Sequence, residues 1–154
     1  MNPLLFLLFG CKEDIVPNDI YEVTVTNGTP LDPEEECVEP SDVLPSTHEY
    51  ALFFNTTFVE IEVDGEFFAT GEIRGCTMTY ESGIYLDEGS SGDFRWQIYG
   101  RAEVAGAAGG CSDIPEQYDW FGVETLNVVA SEDEAIDEGC TYTMETAGNI
   151  LPKN

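Results

Sequence analysis

The sequence predicts an all-β domain, an eight-stranded antiparallel up-and-down barrel. Three observations carry that expectation. No segment has helical periodicity, turn residues recur about every ten residues, and between them the chain alternates with period two. The alternation is also one-sided, with one apolar and one wet face, which marks antiparallel sheet rather than parallel strands buried between helices.

The candidate strands are Ile20–Thr26, His48–Phe54, Val59–Glu62, Glu66–Ile73, Cys76–Ser82, Phe94–Val104, Asp119–Val129 and Thr141–Ala147. All are rich in Val, Ile, Thr and aromatic residues, which fit a pleated surface. The first sets Tyr21, Val23 and Val25 on one face, and the second Tyr50, Leu52 and Phe54. Ile61 and Phe67 continue the inner face in the third and fourth, and Met78 and Tyr80 in the fifth. Phe94, Trp96, Ile98, Gly100, Ala102 and Val104 share a face of the sixth, opposite Arg95, Gln97, Tyr99, Arg101 and Glu103. The eighth sets Tyr142 and Met144 against Thr141, Thr143 and Glu145.

Hairpin parity orders the middle of the chain. A two-residue turn at Arg74-Gly75 pairs Ile73 with Cys76 and keeps Phe67, Ala69, Gly71 and Ile73 on the face of Met78 and Tyr80. At "EVDGEF" a two-residue Asp64-Gly65 turn would bring Glu66, Thr70 and Glu72 inward. The sequence reading therefore favours a three-residue loop, Val63-Asp64-Gly65, pairing Glu62 with Glu66 and Ile61 with Phe67. Extended to eight strands, such a meander closes into a barrel, which removes exposed edges. A Greek-key β-sandwich is the competing fold.

Cys37, Cys76, Cys111 and Cys140 form an even, widely spaced set with no C-x-x-C, as expected of two disulfides in an oxidising compartment. In an up-and-down barrel alternate connections lie at alternate ends. Cys37 and Cys140 then share one end, and Cys76 and Cys111 the other. Only this pairing avoids spanning the barrel, which exceeds the roughly 7 Å Cα limit of a disulfide. A sandwich would allow other pairings.

The chain opens "MNPLLFLLFGCKEDIVPND". The apolar run Leu4–Phe9 is too short to cross a bilayer, has the length of a signal-peptide core and ends at the small Gly10. No basic residue precedes it, as in a leader truncated at its start. Leu8-Phe9-Gly10-Cys11 resembles the lipobox of bacterial lipoproteins. That resemblance implies removal of residues 1–10 and acylation of Cys11, with residues 11–19 as a lipidated tether, 20–147 as the barrel and 148–154 as a tail. It also implies a bacterial outer membrane or cell surface, with a periplasmic or secreted location as the alternative. Architecturally, the region from Ile20 to Ala147 resembles the lipocalin-type or calycin-type meander barrels, with Tyr21 where that family carries a Gly-x-Trp. The expected role is a binding or surface-interaction module of the envelope, working through the acidic outer surface and loops. The lipocalin resemblance implies the alternative, carriage of a small apolar ligand, and a Ca²⁺-dependent surface protein is a further one.

Charge excludes other roles. Asp and Glu total 31 against five Lys and Arg, for a net charge of −26. Such a surface repels phosphate backbones, so nucleic acid is not an expected partner. It also repels anionic lipid, which leaves acyl chains as the route to a membrane. A protein partner or a small apolar ligand is expected in its place.

Nothing in the sequence spells out a reaction, and the chain is expected not to be an enzyme. Its only histidine, His48, lies in "PSTHEY" beside Ser46, but a triad is made by geometry rather than by sequence proximity. The expectation for His48 is a rim residue. The acidic loops offer hard oxygen ligands, with Asp87, Glu88 and Asp93 in "LDEGSSGD" as the candidate Ca²⁺ set, although none fits D-x-[DN]-x-[DN]-G. Similar runs are Asp32, Glu34, Glu35 and Glu36, and Glu132, Asp133, Glu134, Asp137 and Glu138. No other cofactor is expected. With this many inward aromatics a barrel filled by its own side chains is the expected case. If it is hollow, its cavity falls to Tyr50, Phe54, Phe67, Tyr80, Trp96 and Tyr142, with the inward Gly71 and Gly100 marking spare room or bends.

Overall fold

The computed structural model describes residues 17–30, 37, 46–89, 92–105, 111, 113–132 and 138–153. These form nine strand segments and, among the described residues, no helix. They are β1 (Asp19–Pro30), β2 (Ser46–Asn55), β3 (Phe58–Val63), β4 (Glu66–Arg74), β5 (Thr77–Ser82), β6 (Tyr85–Gly89), β7 (Gly92–Val104), β8 (Trp120–Ser131) and β9 (Thr141–Ile150). Each pairs antiparallel with the next from β1 to β5, then β5 with β7, β7 with β8, β8 with β9 and β9 with β1. The result is a closed up-and-down barrel of eight staves. β6, absent from the sequence reading, is no additional stave. It continues the line of β5 along the same edge of β7, Tyr85 opposite Trp96 and Gly89 opposite Gly92. Its acidic, Gly-flanked sequence has weak strand propensity, and pairing with the long β7 overrides it. β9 also runs past Ala147, its last three residues pairing with Tyr21, Glu22 and Val23.

Two turns differ from the sequence expectation. Asp64-Gly65 is a two-residue turn with Val63 opposite Glu66. Both central residues have positive φ, 53° and 83°, the type I′ form that matches strand twist. The extra residue sits instead inside β4, where the register shifts between Ile61–Ala69 and Glu62–Phe67. Phe68 is the bulged residue. The consequence is a swap: Phe67 is 54% exposed, and Phe68 packs against the core. The second turn is Gly75-Cys76, not Arg74-Gly75, so Ile73 opposes Met78. A slip of two residues keeps every side chain on its expected face.

The rest of the expected inner face is buried or half-buried. The core has two parts. The lower one centres on Trp120, fully buried against the rings of Tyr21, Tyr50 and Tyr80 at centroid distances of 5.6, 5.2 and 6.2 Å. The upper one gathers Phe94, Ile98, Leu126, Val128, Tyr142 and Met144 beneath Cys140. Disulfides join Cys37 to Cys140 and Cys76 to Cys111, with Cα separations of 5.7 and 5.8 Å. Such crosslinks belong to an oxidising, extracytoplasmic compartment. The inward glycines hold no spare room. A Cβ on Gly71 would lie 2.1 Å from the Thr79 carbonyl oxygen, and Gly100 is covered by the ring of Tyr80.

Candidate ligand-binding site

The barrel wall parts at Ser82-Gly83-Ile84. The β4–β5 ladder ends at Ala69 opposite Ser82, and the β5–β7 ladder at Glu81 opposite Tyr99. Pairing with β7 resumes one residue out of step at Tyr85. Ser82 is 4% exposed and repairs the break with its own hydroxyl, which accepts from the Ile98 N–H at 2.8 Å and donates to the Gly83 carbonyl at 2.7 Å. Beyond it β6 follows β7 and leaves β4. The separated edges are joined by the Tyr85 hydroxyl, 2.9 Å from the Phe68 carbonyl oxygen and 3.3 Å from that of Phe67.

A cavity of about 360 Å³ opens at this parting. Its volume lies at the lower end of the roughly 300–1,000 Å³ range of small-molecule sites. Phe67, Phe68, Val63 and Tyr85 form the wall at the parting; Trp96, Ile98, Leu126 and Met144 face them. Tyr85 stacks on Trp96 at 4.8 Å and on Phe68 at 6.2 Å, so one side of the space is lined by a layered set of rings. Ser46, His48, Glu66 and Asp87 contribute its polar lining, while Tyr50 and Glu124 separate it from the packed lower core.

Glu124 is the unexpected member. It is 1% exposed and points inward from β8. The hydroxyls of Tyr80 and Tyr50 both donate to its Oε1, at 2.5 and 3.1 Å. Among the described residues Oε2 has no hydrogen-bond partner, and Glu124 makes no ion pair. Burial raises its pKa above the usual carboxylate range, opposed by the bonds from Tyr80 and Tyr50 and by the charge of His48. The two tyrosine hydroxyls are pushed well above their ordinary range by burial first and by Glu124 second, which keeps them protonated donors.

A second polar group stands at the rim. His48 Nδ1 lies 2.6 Å from Asp64 Oδ2, and His48 Nε2 bonds to the Ser46 hydroxyl. Asp64 Oδ1 accepts from the Glu49 N–H at 2.9 Å, and that bond, then His48, holds its carboxyl below the usual range. Ser46, His48 and Asp64 thus stand in the order nucleophile, base, acid. Sequence proximity did not supply Asp64; it comes from the β3–β4 turn, carried beside Glu49 because Tyr50 opposes Val63.

Of the cavity residues expected from sequence, Tyr50, Phe67 and Trp96 line the space. Tyr80 reaches Glu124 from the lower core, Phe54 packs against that core, and Tyr142 belongs to the upper core. Asp87 lines the cavity, while Glu88 and Asp93 oppose each other across the β6–β7 hairpin. Among the described residues no three His, Cys, Asp or Glu side chains converge as a metal site. Cys11, the expected leader, residues 31–36 and residues 133–137 lie outside the described residues. Phe68, Tyr85, Asp64 and Glu124 went unassigned by the sequence reading. Glu124 left a visible signal there, a carboxylate in phase with Trp120, Leu126 and Val128. Compared with models of protein families, with curated proteins and with solved structures, the chain finds no match.

Proposed function

We propose that this chain is an exported lipoprotein, anchored through acyl chains on Cys11 in the bacterial envelope, whose barrel binds a small, largely apolar ligand and does not turn it over. The cavity at the parting of β4 and β6 is the observation that carries the binding reading: it is walled by aromatic and aliphatic side chains and has a few polar groups at fixed places. The lipobox-like tetrapeptide and the two disulfides support export. Against turnover stands the wet setting of the rim triad. The Asp64 side chain is 56% exposed, whereas the acid of a working triad is buried and holds its imidazole in low dielectric.

Titration with the neutral fluorophore N-phenyl-1-naphthylamine tests the binding. Saturable one-to-one binding that Val63→Trp abolishes is the expected result; no saturable binding overturns it. Hydrolysis of p-nitrophenyl butyrate above background, lost in Ser46→Ala, would overturn the absence of turnover. Intact mass after expression of the full chain in a bacterial host reads the anchor, with cleavage before an acylated Cys11 expected. A surface-interaction role is the second reading. Tyr99, Phe121 and Val123 favour it, being exposed on the outer faces of β7 and β8 within a strongly acidic protein. A Ca²⁺-dependent form of that role predicts loss of partner binding in a chelator.

A further inference from the structure

We propose that the ligand is a small organic cation, a primary amine on a compact apolar body, with its ammonium on Glu124 Oε2; the inference rests on the binding reading above. Among the described lining residues three are carboxylates, Glu66, Asp87 and Glu124, none is Lys or Arg, and the one imidazole, His48, is already bonded to Asp64 and Ser46. Glu124 is the decisive one. Both tyrosine hydroxyls converge on Oε1; among the described residues Oε2 has no partner, and it is not one of the atoms sealed from solvent, so it is open to the cavity that Glu124 lines. A carboxylate largely removed from water and in no ion pair is costly, and a cation that enters beside it offsets that cost. An ammonium carries three donors and no acceptor. It therefore satisfies Oε2, and its remaining donors suit the lone pairs of the Tyr50 hydroxyl.

The walls select the same class. Phe68, Tyr85 and Trp96 line the space as a layered set of rings, apolar surface that packs against an apolar body. Glu66 and Asp87 at the lining, with the net charge of −26 behind them, raise the local concentration of cations and repel anions. A fatty acid, whose chain would suit the walls, brings the wrong charge.

The test compares three ligands of nearly one shape by calorimetry at neutral pH and low ionic strength: 2-phenylethylamine, 2-phenylethanol and phenylacetate. The amine is expected to bind at least about tenfold more tightly than the alcohol, with no binding of phenylacetate. Glu124→Gln is expected to bring the amine to within about threefold of the alcohol while the alcohol itself is little changed. The ligand series on the unaltered protein decides alone if that variant fails to fold. Equal binding of amine and alcohol, preference for phenylacetate, or an unchanged preference in Glu124→Gln overturns the cation. If the alcohol or N-phenyl-1-naphthylamine still binds in those cases, the cavity reading stands without it. Failure of all these ligands overturns both.

Discussion

The ring of Tyr80 fills the space that a side chain on Gly100 would occupy. A Cβ placed on Gly100 would lie 2.0 Å from Tyr80 Cζ. The two residues oppose each other across β5 and β7, so the glycine lets the ring lie over its own cross-strand neighbour. From there the hydroxyl reaches Glu124. Gly100→Ala forces the ring to move. We expect an overpacking cost of about 1–3 kcal/mol in urea unfolding, together with weaker amine binding as the Tyr80–Glu124 bond is disturbed.

Glu124 gives stability a pH dependence of known sign. Its folded pKa is raised above the ordinary value of 4.5. Between the two values the folded protein holds a proton that the unfolded chain has lost, so this contribution to stability falls as pH rises through that window and levels off above it. Tyr50, Tyr80 and His48 are the titratable groups that act on it, and the tyrosines stay protonated throughout. Asp64 has the opposite sign, contributing stability that is lost as pH falls through its lowered pKa. Glu124→Gln removes only the first effect. Its stability relative to the parent should therefore climb with pH above about 4.5, at no more than about 1.4 kcal/mol per pH unit. Urea midpoints across a pH series check this, and a flat difference would refute it.

The two disulfides close loops of different size. Cys37–Cys140 spans 103 residues and Cys76–Cys111 spans 35. In the chain-entropy model the first contributes about 4–5 kcal/mol and the second somewhat less, about 3–4 kcal/mol. Paired Cys→Ser variants, compared by equilibrium unfolding, should show that order.

Trp120 is fully buried, touches three tyrosine rings, and donates from Nε1 to the Thr146 hydroxyl at 3.0 Å. Trp120→Ala should cost about 3–5 kcal/mol through the cavity it leaves and the partner it deserts. Thermal unfolding measures that loss.

The staves were legible because a half-buried strand writes its inner face in every second residue, as Tyr21, Val23 and Val25 do. What was not legible depended on a single extra residue. A bulge in the Asp64-Gly65 turn and one at Phe68 restore parity equally well beyond that point, so pattern alone could not decide whether Phe67 or Phe68 packs against the core. β6 was hidden because its carboxylates read as loop, and its strand character comes from β7. The disulfides were readable through topology, which leaves one pairing without a crossing. The Ser46–His48–Asp64 chain needed the register of β2 on β3, and register is a property of the pair, not of either strand.

The parting of β4 and β6 also divides the molecule in time. Below it every stave has a neighbour on both sides, and opening there requires loss of the sheet as a whole. At the parting, one tyrosine hydroxyl replaces a run of ladder bonds. Amides of Tyr85–Gly89 should therefore exchange hydrogen with solvent through small local openings, while those of β5 and lower β8 wait for global unfolding. A ligand of the proposed kind would then enter and leave through the side of the barrel on the timescale of a local fluctuation, without any element of the core letting go.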